Sequence, residues 1–331
     1  GVDPRWVEIT WDEAYDILER VLRPIKQEDP NGLCYVSWAF SNLYYERCFG
    51  SAFGTAHSGM LFTGTRSNCG EATHTLGMIV HGSYLDFADY EYCNYLLGAG
   101  ASLFEAWRAA VPSSRLVGER RQKGLKLVVV DPRGTGAAAK ADEWLPIRPG
   151  TDGALALGML NVLLNECHIY DAPFLKHHAN APYLVGPDGL YVRDPATNHP
   201  LVWDSARGRA VPFDGSPQDP ALEGSYEVGG VLAHPAFQLF RDNIKKYTPE
   251  AVAEITTIPA EAVRRIAREY GEAAMVGAKI VIEGQELPYR PVGINQNRGA
   301  NAHKHGTVTA LAIQLLSIVV GLLALDIIPV T

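Results

Sequence analysis

Tyr92-Cys-Asn-Tyr-Leu-Leu-Gly-Ala-Gly100 and Leu125-Lys-Leu-Val-Val-Val-Asp-Pro-Arg133, with a helical stretch over 105–120 between them, decide how this chain folds. Both runs are short, apolar and bounded by turn residues. Strand, helix, strand at that spacing is a βαβ unit, which requires a parallel sheet. A third short strand, Glu143-Trp-Leu-Pro-Ile-Arg148, follows, then Pro149-Gly-Thr-Asp-Gly153 and a strongly apolar helix from Ala154 to Leu164. Ala278-Lys-Ile-Val-Ile-Glu283 returns to strand. The expected architecture is α/β, with two Rossmann-like parallel-sheet domains, the second inserted in the first. The first comprises 1–130 and 278–331, and the second 131–277.

Outward from this centre, Thr10 and Glu13 form a capping box that opens a helix from Trp11 to Leu22. Leu33-Cys-Tyr-Val-Ser-Trp-Ala-Phe40 is a continuous apolar run of the kind found in a strand buried on both faces. A helix over 42–53 and a Gly/Ser/Thr loop over 54–64 come next. Over 180–230 the composition shifts to Pro, Gly, Asp and Tyr, which reads as a β-hairpin excursion on the surface. Helices resume at His234–Ile244, Pro249–Ile255 and Pro259–Ala273. Thr307 to Leu325 is apolar over 19 residues, near the lower limit for a bilayer span. It contains Thr309, Gln314 and Ser317 and lacks interfacial Trp or Tyr, so a buried helix packed on a sheet is expected and no direct membrane span. The chain starts at Gly1 without a signal-like segment and stops just after that apolar stretch, and is read as a piece of something longer.

Composition narrows the function classes. Of 331 residues, 47% are hydrophobic and 20% charged, which is ordinary for a soluble globular protein. The net charge of −8, with no basic run longer than Arg120-Arg-Gln-Lys123, argues against a nucleic-acid partner. Five scattered cysteines and the absence of any C-x-x-C exclude a disulfide framework, a zinc ribbon and a local iron–sulfur loop. Cys34, Cys48 and Cys93 are expected to be buried structural thiols.

Four segments have the form of ligand-contacting turns beyond the carboxyl ends of parallel strands. In Leu97-Gly-Ala-Gly-Ala-Ser102, Gly98 and Gly100 remove side chains and Ser102 offers a hydroxyl; Phe104 and Glu105 break the G-x-G-x-x-G pattern, which disfavours a nicotinamide dehydrogenase. In Val130-Asp-Pro-Arg-Gly-Thr135, Asp131, Arg133 and Thr135 suit a nucleotide sugar and phosphate, or equally an ordinary turn. In Arg148-Pro-Gly-Thr-Asp-Gly153, Gly150 precedes Asp152, whose bland role is a helix N-cap. Its sharper role uses a carboxylate's ability to accept two parallel hydrogen bonds from the N1–H and exocyclic amine of guanine. Asn297-Arg-Gly-Ala-Asn-Ala-His-Lys-His-Gly306 supplies Arg298, Asn301 and His303 in a loop fit for phosphate or pterin; His303 and His305, two apart, do not share a helix face as a zinc pair would.

Taken in order, Trp6 to Ala14 (Trp-Val-Glu-Ile-Thr-Trp-Asp-Glu-Ala), Val130-Asp-Pro-Arg133 with Ala141-Asp-Glu-Trp-Leu145, and Ile147-Arg-Pro-Gly-Thr-Asp-Gly-Ala-Leu155 resemble the molybdopterin-dependent oxidoreductase superfamily typified by dimethyl sulfoxide reductase. The resemblance runs through almost the whole chain, and Ile147 to Leu155 is its most specific piece. It implies bis-molybdopterin guanine dinucleotide with molybdenum or tungsten, and a 4Fe-4S cluster in an upstream domain outside this sequence. It implies that Asp152 binds one guanine and that Asp131, Arg133, Thr135 and the Gly98-to-Ser102 turn contact a nucleotide moiety. Cys69 falls where the family places its metal ligand, and a thiolate suits a soft, sulfur-coordinated metal. His74 and His81 are candidate proton donors beside it, and Arg66 a candidate for orienting an oxyanionic substrate.

The implied activity is redox conversion of a small molecule of the polysulfide, thiosulfate, nitrate or formate class, with a partner that is an iron–sulfur electron-transfer subunit. A non-redox hydratase or transhydroxylase of the same family stays open, as does a non-catalytic nucleotide-binding module.

Overall fold

The computed structural model describes residues 6–34, 43–57, 74–82, 88–105 and 110–322. The chain divides into two compact units, Gly1–Ser67 and Asn68–Thr331. In the first, α1 (Trp11–Glu28) starts at the capping box expected from Thr10 and Glu13 and runs past Pro24, six residues beyond its expected end. A short α2 (Leu43–Phe53) follows. The strand expected over 33–40 lies outside the described residues from position 35 onward.

The second unit is organised by alternation within its strands. β1 (Tyr95–Ala99), β2 (Lys126–Val130) and β3 (Glu143–Leu145) are parallel neighbours, joined through α4 (Ala110–Arg121) and α5 (Gly136–Lys140). Leu96, Leu127 and Val129 turn one way, into a core shared with Val117 of α4 and Ala137 and Ala138 of α5. Tyr95, Leu97, Ala99, Val128 and Val130 turn the other way. Their core is closed by α6 (Asp152–Asn161), α9 (Pro249–Thr256), α10 (Ala260–Ala273) and α12 (Gly306–Val319). Both sheet faces are therefore covered, which explains why these strands read as unbroken apolar runs.

Chain order fixes the topology. A fourth strand, Val292–Gln296, pairs in parallel with the far side of β1, so that the sheet order is Val292–Gln296, β1, β2, β3. The expected return strand over 278–283 is a different element. Lys279–Ile282 pairs in antiparallel fashion with Gln285–Pro288 as a two-stranded hairpin, and the chain rejoins the sheet only at Val292 rather than at the expected Ala278. Lys-Ile-Val-Ile has the stronger strand composition, but Val-Gly-Ile-Asn-Gln has the place beside β1; packing overrides propensity here.

Two Rossmann-like sheets were expected, and one parallel sheet is found among the described residues. Within 131–277, β3 joins the first sheet, and the rest is helical or antiparallel. The antiparallel pieces are β4 (Leu184–Val185), β5 (Leu201–Asp204), β6 (Arg209–Pro212), β7 (Tyr226–Val228) and β8 (Val231–Pro235). With β9 (Lys279–Ile282), β10 (Gln285–Pro288) and β11 (Val292–Gln296) they complete the strands among the described residues. β4 to β8 form the hairpin excursion expected over 180–230, extended to Pro235. The remaining helices of this unit are α3 (Leu76–Val80), α7 (Ala172–His178), α8 (Ala236–Ile244) and the single turn α11 (Arg298–Asn301). α12 is 14 residues long and largely buried, as a core helix should be. Among the described residues no helix is long and apolar enough to cross a membrane.

Candidate functional site

All four turns singled out in the sequence lie at the carboxyl edge of the parallel sheet. β1 runs into Gly100, β2 into Asp131, β3 into the 147–152 turn and β11 into Asn297. Strand order reverses between β1 and β11, and a crevice opens at such a switch point in α/β sheets.

At that point two backbones touch. Gly299 donates its N–H to the Gly100 carbonyl (3.1 Å), and Asn297 donates to the Ala99 carbonyl (3.3 Å). Gly100 has φ +56°, and a Cβ there would drive into the Ala300 backbone; one on Gly299 would drive into the Gly100 carbonyl. Gly98 lies inside β1 instead, where a side chain would face Leu103, so it serves the packing of the turn that follows. Ser102 is half-buried in that turn.

At the end of β2, the Asp131 carboxylate is buried and accepts from the Arg133 N–H (2.8 Å). Trp144 of β3 donates its indole N–H to the Asp131 carbonyl (2.8 Å), tying the two strand ends together. The Arg133 guanidinium stays in solvent, 3.9 Å from Asp131. Thr135 caps α5 by accepting from the Ala138 N–H, a local role that occupies its hydroxyl.

Asp152 is the first residue of α6; Thr151 is the N-cap, and no side-chain capping bond forms there. The N-cap reading of Asp152 is thereby replaced. Its carboxyl is 6% exposed. Burial, with the nearby Asp131 charge adding to it, pushes its pKa up from 3.8 to about 6. Gly150, at φ +78°, turns the chain toward the fourth segment, where His303 lies 4.0 Å from the position a Gly150 side chain would take. His303 is held by the Ala300 carbonyl at Nε2 (3.1 Å) and accepts the His305 N–H at Nδ1 (3.2 Å). Arg298 opens α11 and Asn301 closes it, fully buried.

His74 is buried on the turn before α3, whose Leu76 packs on Ala310 and Leu311 of α12, and His81 is the C-cap of α3. Cys69 and Arg66 lie outside the described residues. Among the described residues no group of three His, Cys, Asp or Glu is placed to hold a metal ion. Cys93 is buried as expected, its thiol pushed up to about 12 by desolvation. Cys34 and Cys48 are exposed, against expectation. Cys48 lies five positions from the buried Phe53 on α2, which puts it on another helix face.

Sequence reading missed Gln296. It ends β11 in register with Ala99 and is 7% exposed. The signal available was its place immediately before the polar Asn297-to-Gly306 run, but without β11 assigned as a strand that place had no meaning.

Residues 3–323 match the molybdopterin oxidoreductase family. The chain belongs to that family. Among relatives of this molybdopterin oxidoreductase chain, a sulfite dehydrogenase subunit of Allochromatium vinosum is 31% identical across 95% of the chain and 34% of its own length. The alpha subunit of perchlorate reductase of Dechloromonas aromatica is 28% identical across 81% of the chain and 33% of its own length. Acetylene hydratase of Syntrophotalea acetylenica is 36% identical across 53% of the chain and 23% of its own length. The solved structure of acetylene hydratase from Pelobacter acetylenicus superposes with a TM-score of 0.57 at 24% identity, covering 96% of this chain and 34% of that one, which shows the fold. The chain thus spans about a third of the length of the relatives first matched.

The family implies a molybdopterin cofactor, and the residues at the sheet edge fit one. Gly100 and Gly299 leave a side-chain-free backbone junction, Asp152 presents a carboxyl with no side-chain partner among the described residues, and the Gln296 and Asn301 amides are buried without hydrogen-bond partners among them. Buried polar groups are rarely left unmatched unless a ligand or a function accounts for them.

Proposed function

We propose that this chain is the cofactor-holding part of a catalytic subunit that carries molybdenum or tungsten on bis-molybdopterin guanine dinucleotide. The observation that carries this reading is Asp152: a desolvated carboxyl at the carboxyl edge, free of the capping duty its position first suggests. A guanine N1–H and exocyclic amine would satisfy both its oxygens and hold it ionised. Asp131 and Arg133 stand beside it for the sugar and phosphate, and Gly100 and Ser102, with the Arg298-to-His303 segment, face the second half of the cofactor across the switch point. In this reading 131–277, inserted between β2 and the return of the chain, is the lobe that receives one of the two guanine dinucleotides.

When bound, the cofactor supplies two-electron redox chemistry at a metal, and the chain supplies orientation and a dry surrounding. Cys69 is proposed as the protein ligand to that metal, with His74 as a proton donor and Arg66 orienting the substrate. Relatives named as sulfite dehydrogenase and perchlorate reductase subunits support a small oxyanion or sulfur compound as substrate and a partner subunit; an iron–sulfur subunit and an upstream 4Fe-4S cluster are proposed as the electron route.

The test is metal and pterin analysis of the full-length protein, wild type against Cys69→Ser. Stoichiometric molybdenum or tungsten with two pterins per chain, and a metal spectrum altered by the substitution, is expected. Metal with an unchanged spectrum removes Cys69 from the site, and absence of metal and pterin refutes the whole reading. The 36% identity to acetylene hydratase supports a second, non-redox reading. Turnover without net electron transfer to an artificial acceptor would select it.

A further inference from the structure

Gln296 and Asn301 differ from the other polar side chains of the sheet edge. Gln296 is 7% exposed and Asn301 fully buried, and in each the amide nitrogen and the carbonyl oxygen both lack a hydrogen-bond partner among the described residues. The preceding amide shows that this is no general feature of β11: Asn295 donates to the Tyr90 hydroxyl at 2.7 Å. Strand alternation sends Gln296 to the opposite face from Asn295, the face on which its register partner Ala99 packs with Ala300 and Ala312. Asn301 follows five residues on, at the end of α11, where its own carbonyl abuts Gly306 at the start of α12. Both amides thus belong to the strand-end junction of β1 and β11.

The pattern of what is unmatched narrows the ligand. Each amide offers donors and an acceptor. A phosphate accepts only, and would leave Oε1 and Oδ1 unmet; an apolar group would leave all four atoms unmet. An edge with an N–H next to a carbonyl meets both kinds at once. We infer that Gln296 and Asn301 bind the 2-amino-4-oxopyrimidine edge of the cofactor, a chemistry that pterin and guanine share. The inference rests on the cofactor reading above and adds a residue, Gln296, and a chemical moiety to it.

The inference separates from a packing role by the sign of a stability change. Replacing two unmatched buried amides with apolar groups of similar shape stabilises a protein that lacks its ligand and weakens one that holds it. The experiment compares full-length wild type with Gln296→Met/Asn301→Leu. Each is produced in cells that make the complete cofactor, in cells that make molybdopterin without its nucleotide, and in cells that make neither. Pterin content is read by fluorescence after oxidative release, and melting is followed on the cofactor-free protein.

The cofactor-free variant is expected to melt higher, by about 2 °C, and pterin retained from cofactor-making cells to fall roughly tenfold. Loss from both kinds of cofactor-making cells assigns the edge to pterin, and loss confined to the complete dinucleotide assigns it to guanine. A cofactor-free variant that melts lower or fails to fold, or pterin content equal to wild type, overturns the inference and leaves the cofactor reading intact. Wild type without pterin from any of the cells overturns both.

Discussion

Asp152 is held in two ways that pull apart, and pH exposes them. In the cofactor-free protein its pKa is raised from 3.8 to about 6. Between those values the folded chain keeps a proton that the unfolded chain has released, so stability falls as pH rises from about 4 to 6 and is level above. Asp152→Asn removes that loss. The cofactor-free variant should match wild type below pH ~4 and exceed it by up to about 3 kcal/mol above pH ~6 in urea titrations. On the proposed reading the sign reverses with the cofactor in place, because guanine would need the ionised carboxylate. Retention by wild type should weaken as pH falls through about 6, and Asp152→Asn should retain poorly at every pH. Asp152 was legible in the sequence because Gly-Thr-Asp after a strand places a carboxylate at a helix start. Gln296 was not, since an amide among Val, Gly, Ile and Asn carries no chemical signature until its strand has neighbours.

Two junctions between elements carry predictions of their own. Where β1 and β11 end, Gly100 at φ +56° lies against the Ala300 backbone. Gly100→Ala must relieve both strain and overlap, and is expected to cost more than about 3 kcal/mol and to take cofactor content with it. Gly98→Ala should be milder, because a Cβ there would sit 3.4 Å from Leu103 Cδ1. At the far end of the core, Asp171 caps α7 through the Phe174 N–H and pairs with Arg290 at 2.5 Å. Arg290 also donates from Nε to the Val320 carbonyl at the end of α12. Both side chains are buried, so Asp171→Ala strands a cation and should cost about 3–5 kcal/mol. Asp171→Leu with Arg290→Met should cost less by the same denaturation assay. At this scale the βαβ unit was readable because β1 and β2 are apolar on both faces. The return strand was misplaced because a hairpin composed of Lys-Ile-Val-Ile looks more like a buried strand than β11 does, and only pairing with β1 distinguishes them.

For the molecule as a whole, the order of motifs along the chain was enough to place the family. The family match over residues 3–323 agrees with it. Among the described residues there is one parallel sheet, and β2 and β3, which carry the turns at 131 and 152, belong to it with β1. That single sheet strengthens the functional reading, since it brings Gly100, Asp131, Asp152, Gln296 and Asn301 to one edge. Relatives of the chain are named for sulfite, perchlorate and acetylene, three chemically different substrates. The ligand proposed for this edge is guanine. Guanosine monophosphate released by mild acid from the full-length protein, counted per chain, tests that most directly. Two per chain from wild type and one or fewer from Asp152→Ala is the expected result; none from wild type, or an unchanged two from the variant, would contradict it.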